Sequence, residues 1–168
     1  MAVITILEHP DPRLRQRSAA VTSFDPDLAR LVEELTATLA ATSGIGLSAP
    51  QLGRLQRVFV MDLSERREAP QVFVNPEIVK KGRWGLVEES CLSVPGVTGN
   101  VLRATRVRAR ARTLAGEMVE HELEDMAAVC VQHEIDHLNG KLFVDRLPFW
   151  RRLRLRREMA GAGRSAAA

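Results

Sequence analysis

Apolar positions recur at helical spacing in two stretches of the chain and at strand spacing between them. Leu28, Leu31, Val32, Leu35 and Leu39 follow one helical face, behind Asp25-Pro26-Asp27, which offers a capping carboxylate and a proline at the first helical position. A packing helix is expected there, running to about Ala41. The second stripe, Met126, Val129, Cys130, His133, His137 and Leu138, predicts a helix over 125–139, with Asp125 at its front and Gly140 at its end. Between the two, Arg57 to Leu63 and Gln71 to Lys80 are strand-like around Val58, Phe59, Val60 and Val72, Phe73, Val74. Asn75-Pro76 interrupts the second strand, as expected at an edge or a bulge. Ser64 to Ala69 is polar and reads as a surface connection, and His9-Pro10-Asp11-Pro12 as a turn.

Further on, Arg106, Arg108, Arg110 and Arg112 alternate with Val107, Ala109 and Ala111, which puts all four arginines on one face of a strand. Such a stripe invites a nucleic-acid reading. Beyond Ala115-Gly116, however, Glu120, Glu122 and Glu124 share one parity. An antiparallel hairpin with an odd-numbered loop sets them opposite the arginines, so self-neutralisation is the expectation. The pattern as a whole predicts an α+β fold: a single domain of antiparallel sheets, built from residues 57–123, wrapped around a central helix at 125–139, with one helix before it and one after. The expected division is a main body over 1–147 and an Arg-rich C-terminal helix with a frayed tail over 148–168.

At 168 residues and 45% apolar, the chain is long enough for one well-filled core. No apolar run approaches the roughly 20 residues needed to span a bilayer, and Met1 to Leu7 is too short for a signal peptide, so a cytoplasmic protein without a membrane partner is expected. The net charge of +3 misleads until it is divided by region. Residues 146–168 hold seven of the 24 Lys+Arg and one of the 21 Asp+Glu, leaving 17 against 20 in the rest of the chain. The basic tail carries no interleaved aromatics for base stacking, so a contact there would be with phosphates or acidic surfaces, and an RNA phosphate surface is the expected partner.

Candidate chemistry centres on Gln132-His133-Glu134-Ile135-Asp136-His137-Leu138-Asn139-Gly140. On a helix, His133 and His137 lie one turn apart on a common face, roughly 6 Å along the axis, where both imidazoles reach one ion. Glu134 borders that face, close enough to touch a water on the ion without being a ligand. A core helix with two hydrogen-bonded histidines is the bland alternative. Cys91, between small polar residues in Glu88-Glu89-Ser90-Cys91-Leu92-Ser93-Val94-Pro95-Gly96, can be a buried hydrophobe, a nucleophile or a third ligand. A nucleophile needs a histidine base, and the paired histidines are committed to each other. Three ligands strung over 130–137 of one helix would extend roughly 10 Å, so Cys91 is the expected ligand and Cys130 a packing residue. Ser43-Gly44-Ile45-Gly46-Leu47-Ser48-Ala49-Pro50-Gln51 lacks phosphate-loop spacing, and its glycines permit close approach of a ligand.

With these motifs in view the chain resembles the peptide deformylases. Gly44 to Gln51 is similar to the family's GΦGΦAAPQ, Glu89 to Ser93 to EGCLS, and Gln132 to Gly140 to QHExDHLxG, in the same order and separation. The resemblance spans residues 4 to about 150. It departs at Ser48, where the first alanine is usual, and at Ser90, where a glycine is usual. What it implies is removal of the formyl group from N-formylmethionyl nascent peptides, with release of formate. One divalent ion, Fe²⁺ ahead of Zn²⁺, would be held by Cys91, His133 and His137. Glu134 would be the general base, and the Gln51 side chain and the Leu92 backbone N–H the oxyanion donors. Gly44, Ile45 and Gly46 would pair with the extended substrate, and Val87, Met126 and Val129 would wall the methionine pocket. The same hydrolysis on another formylated substrate, and a ribosome-docking homologue without activity, are the rival readings.

Overall fold

The structure is a computed structural model, and it describes residues 3–155. It contains α1 (Pro26–Ala40), β1 (Gly46–Ser48), β2 (Val58–Met61), β3 (Gln71–Cys91), β4 (Val94–Arg112), β5 (Met118–Glu124) and α2 (Asp125–Leu138). Short 3₁₀ turns cover Pro12–Arg15, Ala49–Leu52 and Phe143–Arg146. The chain is helical again over 149–155; the expected frayed tail lies outside the described residues.

Helix α1 begins as its sequence requires. The Asp25 carboxylate accepts from the N–H groups of Asp27 (3.0 Å) and Leu28 (3.1 Å), and Pro26 follows at the first helical position. The strands form one continuous five-stranded sheet, antiparallel throughout as expected and in the order β1-β2-β3-β4-β5. The two long strands β3 and β4 form a hairpin that bends at register shifts and so carries the sheet around the core. The shift at Asn75-Pro76, with Asn75 at φ +50°, is the expected bulge.

Strand β2 is buried on both faces. Val58 and Val60 join the cluster under α1, while Phe59 and Met61 join the cluster around α2. A continuous apolar run is what a strand between two helical layers requires. Helix α2 touches all five strands and is the axis of the molecule. Its ends differ from one another. Gly140, at φ +70°, closes the back, where a Cβ would lie 2.4 Å from the Arg15 carbonyl. At the front Asp125 is no cap: Glu124 holds that position, Asp125 itself adopts φ +48°, and no side chain caps the helix. The sharp turn from β5 into α2, with no loop between them, imposes that conformation.

A third cluster joins Leu14, Cys91, Val94, Val101, Leu142, Phe143 and Leu147, with Leu155 of the last helix packed on it. The described start of the C-terminal segment is therefore tied to the body.

Candidate metal centre and active site

The β3–β4 hairpin turns through Leu92 and Ser93 alone, Cys91 pairing with Val94, so the thiol sits at the tip of a stiff two-stranded arm. That tip faces the polar side of α2. Cys91 Sγ is 3.2 Å from His137 Nε2, which is 3.2 Å from His133 Nε2, and the three donor atoms lie within 4.8 Å of one another. Ligands bound tetrahedrally at 2.0–2.3 Å stand roughly 3.4–3.6 Å apart, so the trio is close to a coordination shell. Cys91 and His137 are buried.

The other ring nitrogen of His133 is held from behind. His133 Nδ1 donates to Glu89 Oε2 at 2.8 Å, which points Nε2 at the centre. Glu89 in turn accepts from Arg103 at 2.6 and 3.0 Å. Arg103 also donates to Asp136 at 2.7 Å, and Asp136 receives two bonds of 2.5 Å from Arg146. At 1% exposure, Arg103 is the largest fully buried side chain among the described residues. Burial works against a charge on His133, yet its bonds to Cys91 and Glu89 and the nearby Glu134 outweigh that and push it up to about 10. An imidazole surrounded by such acceptors marks a place built for positive charge, and with the converging sulfur and nitrogen donors it fits a divalent ion. His137 is driven the other way, first by burial and then by His133 and Arg103.

Glu134 is buried at 3% exposure, and burial pushes it up to about 7 against the pull of His133 and a hydrogen bond from Ser48. It nests against Gly46, where a Cβ would lie 2.6 Å from Oε1 and 2.7 Å from Cys130 Sγ. Gln51 lies across the site, its Nε2 3.2 Å from Ser93 Oγ and 3.9 Å from Cys91 Sγ.

A cavity of about 470 Å³ opens in front of these groups. Gly44, Ile45, Gly46, Gln51, Cys91, Leu92, Met126, Val129, His133 and Glu134 line it, and His137 reaches the centre from the buried side. Val87 does not line it. Four residues up an extended strand from Cys91, it stands roughly 13 Å away and pairs with Val101. Cys130, expected to be packing, is buried and on the cavity wall, its thiol pushed well up by burial and by Glu134. Ser90 lies on the rim without a left-handed backbone, so the serine brings no strain.

The sequence reading missed Glu89, Arg103, Asp136 and Arg146. A signal for Arg103 was present: it shares the buried parity of Val101, Val107 and Ala109, opposite to the exposed arginines after it.

The family profile described as polypeptide deformylase matches residues 3–152. The chain belongs to the peptide deformylase family. The peptide deformylase of Alkalilimnicola ehrlichii is 48% identical over 160 residues, covering 95% of this chain and 90% of that one. That of Azotobacter vinelandii is 46% identical, covering 95% of both. Among solved structures, a peptide deformylase from Legionella pneumophila superposes with a TM-score of 0.90 at 41% identity, over 99% of this chain and 98% of that one. A peptide deformylase from Ehrlichia chaffeensis in complex with actinonin superposes at 0.85 and 34% identity, over 90% and 92%.

Proposed function

We propose that this member of the peptide deformylases is a metal-dependent hydrolase that removes the formyl group from N-formylmethionyl polypeptides and releases formate. The observation that carries the reading is the convergence of Cys91 Sγ, His133 Nε2 and His137 Nε2 beside Glu134 and Gln51, on a single cavity. Cys91, His133 and His137 would hold the ion, whose Lewis acidity lowers the pKa of water and polarises the formyl oxygen.

The protein groups do the rest. Glu134 takes the proton of the attacking water and returns it to the departing amine, so that a C–O bond replaces the formyl C–N bond. Gln51 Nε2 and the Leu92 backbone N–H serve the oxyanion. β1 is an edge strand of the sheet, and with Gly44 and Ile45 before it offers backbone groups along which an extended peptide can add. Met126 and Val129 supply apolar wall for the methionine side chain, without Val87.

A mixed sulfur and nitrogen set accepts both Fe²⁺ and Zn²⁺; the reading puts ferrous iron first. It places the enzyme in the cytoplasm, and no helix among the described residues is long and apolar enough to cross a membrane. The basic segment after residue 147 is assigned to a phosphate surface of the ribosome, and salt-sensitive co-sedimentation with ribosomes tests that part alone.

The deciding experiment is metal analysis of anaerobically purified protein together with formate release from formyl-Met peptides and from other formylated amines. Glu134→Ala should retain the ion and lose at least about a thousandfold in kcat. A metal-stripped protein that still releases formate at the full rate would overturn the reading.

A further inference from the structure

Ser48 sits where the family resemblance puts an alanine, and it is fully buried beside Gln51. Gln51 Oε1 lies 2.9 Å from Ser48 N and 2.9 Å from Ser48 Oγ. A backbone N–H can only donate, so the atom facing it is the amide oxygen, and Nε2 must face Ser93 and Cys91. We propose that Ser48 is a positioning residue whose hydroxyl fixes Gln51's amide at the reacting centre. The inference rests on the deformylase reading for its kinetic consequence, not for its geometry.

With the hydroxyl and the backbone N–H of Ser48 both donating, Gln51 Oε1 accepts two hydrogen bonds, which polarises the amide and strengthens Nε2–H as an oxyanion donor. The effect reaches the substrate through the Gln51 side chain. The backbone N–H of Ser48 already sets which way the amide faces, so the hydroxyl adds sharpness of placement and not the orientation itself.

The test is a double-mutant cycle on metal-loaded full-length protein, with Ser48→Ala, Gln51→Ala and the pair, assayed on a formyl-Met tripeptide. Ser48→Ala replaces the hydroxyl by hydrogen, a loss of one oxygen atom, and should fold; its melting temperature and metal content are checked against the parent. The expected result is kcat lower by about five- to tenfold with KM unchanged, the size of one hydrogen bond, and a much smaller loss when the substitution is made in Gln51→Ala. An equal loss in both backgrounds, or a rise in KM at constant kcat, overturns the proposal. A second readout needs no turnover: the side-chain NH₂ resonances of Gln51 should move and exchange faster in Ser48→Ala, and unchanged resonances would refute the contact. Absence of formate release from the parent defeats the deformylase reading instead, and the amide resonances then decide the Ser48–Gln51 coupling.

Discussion

Glu89 never touches the expected ion, yet it decides how His133 presents itself. Its carboxylate receives His133 Nδ1 on one side and the Arg103 fork on the other, so substitution unlocks the imidazole while leaving all three donors in place. Glu89→Gln should weaken metal affinity by about ten- to a hundredfold, read by competition with a chromophoric chelator. Arg103 is the riskier position. Its removal strands Glu89 beneath the site and leaves Asp136 with Arg146 alone, and breaking a buried pair costs about 3–5 kcal/mol. Arg103→Ala is therefore expected to lower the unfolding free energy by that order in urea titrations, while Arg146→Ala, at a half-exposed position, costs less. These residues mark the limit of what the chain revealed beforehand. The His133–His137 spacing is legible because helical periodicity is local, whereas the partners behind it come from β3 and β4, and only a fold brings residues 89, 103 and 136 together. Gly46 teaches the same point in reverse, since its need for no side chain comes from Glu134 and Cys130 across the gap.

At the scale of elements, parity arguments carried far. The five-residue connection between β4 and β5 is odd-numbered, and the register pairs Arg106 with Glu124, Arg108 with Glu122 and Arg110 with Glu120, as the alternation required. Ion pairs join Arg106 to Glu124 at 2.7 Å and Arg108 to Glu122 at 2.5 Å, and Arg110 turns instead to Glu77 on β3 at 2.8 Å. Three of the four arginines are thus paired with carboxylates of their own sheet, and Arg112 donates to the Gly116 carbonyl. Because the Arg106–Glu124 pair is half-exposed on both sides, Arg106→Ser should cost only a few tenths of a kcal/mol, and 1 M salt should erase the difference in chemical denaturation. The extents of β3 and β4 were less legible. Pro95-Gly96 looks like the turn of a loop, but the chain reverses at Leu92-Ser93 and the Pro-Gly pair lies within β4. Turn composition misleads there because a hairpin tip held against a helix is fixed by what it packs on. β1 was invisible for a similar reason: Gly46 to Ser48 has no strand pattern of its own and becomes a strand only by pairing with Met61, Val60 and Phe59.

For the molecule as a whole, the site is bought at the expense of stability. A carboxylate buried in the C-terminal half of α2, that of Glu134, is pushed up to about 7 from an ordinary value of 4.5, chiefly by burial. A group whose pKa is higher in the folded state favours folding while protonated, so its contribution is complete below about 4.5 and is lost as pH rises through about 7. His133 has the same sign: raised from 6.5 to about 10, it supports the metal-free fold below 6.5 and withdraws that support as pH climbs towards 10. Both groups make the metal-free protein lose stability from neutral to alkaline pH, while His137, driven well below 6.5, has the opposite sign and withdraws its support as pH falls through 6.5. Glu134→Gln keeps the shape and removes one of the two titrations. Metal-free Glu134→Gln should melt several degrees above the metal-free parent at pH 8, and the two should converge near pH 4.5. Loading both with the divalent ion should narrow the gap at pH 8, because a nearby cation favours the carboxylate that burial disfavours. Melting curves of the two proteins, with and without metal, at pH 4.5 and 8 read all of this directly; equal melting temperatures at pH 8 without metal would mean that the fold bears no cost for holding its base ionised.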